Sequence, residues 1–122
     1  MKSLLSGTLS FVLVVAVAAV ARGAEDPAVV RAARAGDGRA VVALIQQKAD
    51  VNASAIDGTT ALHWAVRADD LETVDALIRA GAQVKTASRH GVTPLYIAAD
   101  QGNVAMIRRL VTAGADANGT DI

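Results

Sequence analysis

From residue 41 onward, apolar side chains recur at a spacing of three and then one: Val41, Leu44 and Ile45; Val74, Leu77 and Ile78; Ile107, Leu110 and Val111. That spacing lays one apolar stripe along a short helix. The three stripes stand 33 residues apart, and the segments around them keep the same offset. Thr60-Ala61-Leu62-His63-Trp64-Ala65-Val66 returns as Thr93-Pro94-Leu95-Tyr96-Ile97-Ala98-Ala99. Leu77-Ile78-Arg79-Ala80-Gly81-Ala82 returns as Leu110-Val111-Thr112-Ala113-Gly114-Ala115, with Leu44-Ile45-Gln46-Gln47-Lys48-Ala49 one period earlier. A fixed period of this length makes each unit one supersecondary element that cannot bury its own apolar face and gains stability by stacking on its neighbours.

Each unit reads as a turn, a short helix, a second short helix and an extended return. Asp57-Gly58 and His90-Gly91 supply the turns, glycine accepting the positive φ of a tight reversal. Thr60 and Thr93 stand where a hydroxyl caps the first helix, and Pro94 follows at the first helical position, where its missing N–H costs nothing. Asp26-Pro27 repeats the device, so first helices are predicted over residues 27–35, 61–68 and 94–101. Gly36 and Gly102 mark the turn into the second helix, with Asp69 at the equivalent place. Gly81 and Gly114 end the second helices in the left-handed conformation. Lys48 fills that position in the first unit, a misfit of about 1 kcal/mol relative to glycine. Ala32, Ala65 and Ala98 fall on the inner helix face, where neighbouring helices leave no room for longer side chains.

Thr93-Pro94-Leu95, Ala98-Ala99, Gly102, Gly114-Ala115-Asp116-Ala117-Asn118, Thr60-Ala61-Leu62-His63 and Gly81-Ala82 resemble the ankyrin repeat. The resemblance covers the chain from about Asp26 onward. It implies an all-α solenoid of about three helix-turn-helix units, with hairpin-like connecting loops, at about residues 25–57, 58–90 and 91–122 of a domain spanning 24–122. The first unit lacks the Thr-Pro-Leu-His signature apart from Pro27, as an amino-terminal cap would, and Arg31, Arg34 and Arg39 suit its water-exposed face. The chain stops two positions before the next turn would fall, with no polar unit after Ile107 and Leu110. A stack needs a polar terminal unit, so a truncated array, or a third unit that pairs with something else, is expected.

Ahead of the repeats, Lys2 precedes 19 uncharged residues with an apolar centre from Leu9 to Val20 and small residues at the end, the pattern of a secretory signal peptide over residues 1–23. An uncleaved helical anchor is the alternative, since the run approaches the roughly 20 residues that span a bilayer. Removing residues 1–23 leaves 10 basic and 12 acidic side chains, a net charge of −2. Nucleic-acid binding wants a basic stripe with stacking aromatics, which this surface lacks. With no cysteine in the chain there are no disulfides, thiolate metal ligands or thiol nucleophiles.

No catalytic, cofactor or metal site is expected. His63 occupies the helix-start position where the resemblance places a histidine that bonds neighbouring backbone, and its counterpart Tyr96 cannot act as a base. His90 is too far along the chain for a His-x3-His metal spacing. Asp69, Asp70 and Glu72 read as caps and dipole partners of the second helix. The serines lack a histidine partner, and no Gly-x-Ser-x-Gly or phosphate-binding loop occurs. Trp64, the single tryptophan, is expected to cover the joint between units, with exposure on the concave face as the alternative.

The turn tips and the free side of the first helices remain, because packing fixes little there. Positions similar to the variable contact positions of ankyrin proteins are Ile56, Asp57, Thr59, Arg67 and Ala68 in the second unit, and Arg89, His90, Val92, Asp100 and Gln101 in the third. Ile56 and Val92 offer apolar contacts, Arg67 and Arg89 planar donors. The expected function is therefore non-enzymatic binding of another protein by an exported, periplasmic or secreted, repeat protein. A regulatory or inhibitory subunit of an exported enzyme is one alternative; a membrane-tethered scaffold facing the periplasm, if the amino-terminal segment stays uncleaved, is the other.

Overall fold

The computed structural model of the chain describes residues 25–115, so the expected signal segment and everything beyond Ala115 lie outside the described residues. Six helices follow in pairs: α1 (Ala28–Arg34) and α2 (Gly38–Gln46), α3 (Ala61–Arg67) and α4 (Leu71–Arg79), α5 (Pro94–Asp100) and α6 (Val104–Thr112). Each pair packs on itself; α1, α3 and α5 pack side by side as one layer, and α2 lies against α4 in the second. No described helix is long and apolar enough to cross a membrane.

The helix ends have the local causes expected of them. Asp37, Asp70 and Asn103 cap α2, α4 and α6, each side chain accepting the N–H three residues on at 3.1 Å, which satisfies donors that the helix itself leaves free. Thr93 does the same for α5 with the Tyr96 N–H, and Pro94 opens that helix. Lys48 and Asp69 are the two described non-glycine residues at positive φ, 67° and 56°. Pro27 departs from expectation, standing one position earlier, at the N-cap rather than inside the helix. Asp26 does not cap either, because its carboxylate is drawn to Arg34 at 2.9 Å and its carbonyl accepts from Arg31.

The core runs between the layers. Leu62, Val66, Val74 and Leu77 of the second unit are sealed from water, as are Val30 and Val41 of the first and Ala98, Met106 and Leu110 of the third. Of the stripe residues, Val41, Val74, Leu77 and Leu110 are buried, while Leu44, Ile45 and Ile78 are partly buried against the core; two positions differ further from expectation. In the third unit Met106, at the place of Thr73, is fully buried beside Leu110, whereas Ile107 is half-buried and Val111 is 40% exposed. No described helix stands beyond α6 to cover those two. Ala32 is likewise only partly buried, where its counterparts Ala65 and Ala98 are enclosed, because no described helix flanks α1 on its outer side.

Side chains also stitch the units. Asn52 donates to the Gly81 carbonyl at 3.1 Å and accepts the Gln83 N–H at 2.7 Å. Asn103 donates to Asp69, and Arg109 pairs with Asp75. Asp69 thus links units and leaves the capping of α4 to Asp70, dividing a role that the sequence assigned to both.

Candidate functional site

Between the helix pairs the chain turns back on itself in two tips. In the first, Ala55 donates its N–H to Thr59 O at 2.9 Å; in the second, Ser88 donates to Val92 O at 2.8 Å. The tips touch, since Arg89 N–H donates to the Asp57 carbonyl at 2.8 Å. Gly58 permits this approach. Its φ is +83°, and a Cβ there would lie 3.0 Å from the Arg89 nitrogen, a backbone atom that cannot step aside. The requirement comes from the neighbouring unit.

Thr59 joins the first tip to the inner helices. Its N–H and hydroxyl both donate to Asp57 Oδ1, at 3.0 and 2.7 Å, and its oxygen accepts the indole N–H of Trp64 at 3.1 Å. The Thr59 hydroxyl first and its N–H second hold the Asp57 carboxyl below its ordinary range. Trp64 is half-buried, and its ring lies 5.0 Å from the Arg34 guanidinium carbon and 5.8 Å from that of Arg67, both within cation–π range. The indole therefore does both things the sequence allowed, packing at the joint and presenting a surface with cations beside it.

His63 lies beneath. Its Nδ1 accepts the Thr60 N–H at 3.0 Å, so Nε2 carries the proton and donates to the Val92 carbonyl of the next unit at 2.9 Å. Burial disfavours the cation and holds the imidazole below its ordinary value. Both nitrogens are committed to backbone. The ring is a strut between units.

A family model for ankyrin repeats, in three copies, matches residues 29–121. The chain belongs to the ankyrin-repeat family. Ankyrin repeats are protein–protein interaction modules, and the family is generally non-enzymatic. Among curated proteins, none matches the chain.

On this ankyrin scaffold, Asp57, Thr59, Arg67, His90 and Val92 come together around a concave pocket of about 200 Å³, with Trp64, His63, Ser88 and Ile97. The other five candidates do not line it. Ile56 projects from its tip at 72% exposure, Arg89 is exposed on the second tip, and Ala68 and Asp100 lie exposed at the ends of α3 and α5. Gln101 reaches across to donate to the Arg67 carbonyl at 2.8 Å. Val92 differs from expectation, being half-buried against the core rather than a free tip, because its carbonyl is held by His63. Trp64 and Thr59 gain importance as a pair. The sequence places Trp64 at the joint between units, with exposure on the concave face as the alternative; nothing in the spacing announces the hydroxyl five residues earlier. Among the described residues no group of three or more His, Asp or Glu is arranged to hold a metal ion.

Proposed function

We propose that this ankyrin-repeat chain is an exported, non-enzymatic binding protein that engages one protein partner through its tips and the free side of α3 and α5. The observation that carries the reading is convergence: Asp57, Thr59, Arg67, His90 and Val92, from two tips and one helix, border a single pocket next to the exposed Ile56. Rigid presentation is the mechanism. The tips are bonded to each other, and the first to Trp64, before any partner arrives, so little conformational entropy is lost on docking, and a few apolar and arginine anchors supply most of the affinity. Export rests on the uncharged run of residues 3–21.

The test places a photoreactive residue at Ile56 and identifies what crosslinks in the producing cell. One stoichiometric partner is expected, with recovery falling at least tenfold when Arg67 and Arg89 are changed to alanine; undiminished crosslinks in that double variant remove the proposed face. Amino-terminal sequencing tests export separately, with a mature start between Arg22 and Glu25 expected and retained Met1 or Lys2 in membrane fractions counting against it.

A further inference from the structure

The geometry points to the pocket beside Arg67 as the seat of a glutamate side chain carried by an extended segment of the partner protein. This rests on the binding reading above and adds the chemistry of its central contact. At about 200 Å³ the pocket is smaller than the roughly 300 Å³ at which small-molecule sites begin, so a single side chain fits it better than a cofactor. Its floor is carbon: the Trp64 indole, Val92 and Ile97. His63 contributes no free hydrogen-bonding atom, since Thr60 and Val92 occupy its two nitrogens. An occupant therefore needs an aliphatic neck, and its polar end must find a partner at the rim.

The rim selects the charge of that end. Asp57 already accepts the N–H and hydroxyl of Thr59. Arg31, Arg34 and Arg109 meet Glu25, Asp26 and Asp75, whereas Arg67 meets no carboxylate among the described residues and rests against Trp64 instead. A guanidinium held on an indole face keeps its planar donor fork free and loses little freedom when it closes on a carboxylate. Arg34, 5.0 Å from the same ring, is already paired with Asp26 at 2.9 Å, which leaves Arg67 as the cation at the rim. The two methylenes of a glutamate cover the apolar floor while its carboxylate reaches Arg67. Aspartate has one methylene fewer with which to do both.

Selection of displayed linear peptides on the full chain and on Arg67→Glu tests this. Acetylated, amidated copies of the selected peptides are then titrated against the emission of Trp64, the single tryptophan of the chain. Glutamate is expected to dominate at one position. Replacing it by glutamine weakens binding at least tenfold, and Arg67→Glu abolishes the preference. Arg67→Lys retains part of it. A selected set without acidic preference, a preference that survives Arg67→Glu, or no peptide that moves the Trp64 emission overturns the proposal. Neutral peptides that compete with the partner crosslinked at Ile56 would sink the glutamate seat and leave the binding face standing. Glutamate peptides that bind at Trp64 while nothing crosslinks at Ile56 would do the reverse.

Discussion

His63 and Tyr96 occupy the same place in successive repeats, yet the first is 2% exposed and the second 61%. Their neighbours follow suit: Leu62, Val66 and Val74 are sealed, while Leu95 and Ile107 are half-buried and Ala99 is exposed. The helices are alike, so helix chemistry is not the cause. The second unit has the tip and α5 of the third unit laid over it, and no described residue covers the third in that way. Burial here belongs to the joint between units, as expected where stability is a sum of unit terms and nearest-neighbour interfaces.

Truncating equivalent leucines should sharpen that contrast most. Leu62→Ala is expected to cost about 3 kcal/mol in urea unfolding and Leu95→Ala about half as much; equal losses would break the comparison. His63→Ala leaves the Thr60 N–H and Val92 carbonyl without their partner, a loss of about 2 kcal/mol, against about 0.5 kcal/mol or less for Tyr96→Ala at its exposed site. Acid probes the same strut. Because burial holds His63 below its ordinary value, the unfolded chain binds the proton first on acidification. Its contribution is therefore complete above the ordinary value of 6.5 and is lost as pH falls through the lower, folded one. The urea midpoint should drop as pH falls below the ordinary value of 6.5, and less steeply in His63→Gln. An identical slope in that variant would place the titrating group elsewhere.

Backbone effects come next in size. Lys48 stands at φ 67°, where Gly81 and Gly114 stand in the later units, so Lys48→Gly should raise thermal stability by about 1 kcal/mol. Asp69→Gly, at φ 56°, should gain less, since it also discards the Asn103 bond. Arg109→Gln, which breaks the exposed pair with Asp75, is expected to shift the midpoint by about 0.5 kcal/mol or less.

Much of this was legible in the residues. The 33-residue offset located the first helix of each pair to within a residue or two and put the apolar stripes on the second, and the left-handed Lys48 and Asp69 followed from glycines at equivalent positions. The misses share a cause. Pro27 slipped to the N-cap because Asp26 is held by Arg34, eight residues on. Val92 turned inward because His63, 29 residues earlier, holds its carbonyl. Asp69 became a tie to Asn103, 34 residues away. Each is a contact between residues whose proximity no spacing rule encodes.

The candidate site divides along the same line. Local sequence determined which positions the repeat leaves unassigned, because turns, caps and the apolar stripe are properties of a few consecutive residues and recur with the period. Stacking decided what those positions become. It brought five of the ten proposed contacts to one pocket, set the Trp64 indole beside two guanidinium groups, and left Arg67 without a carboxylate among the described residues. Those outcomes depend on how one unit lies on the next, and packing between units is a tertiary property that periodicity announces without specifying.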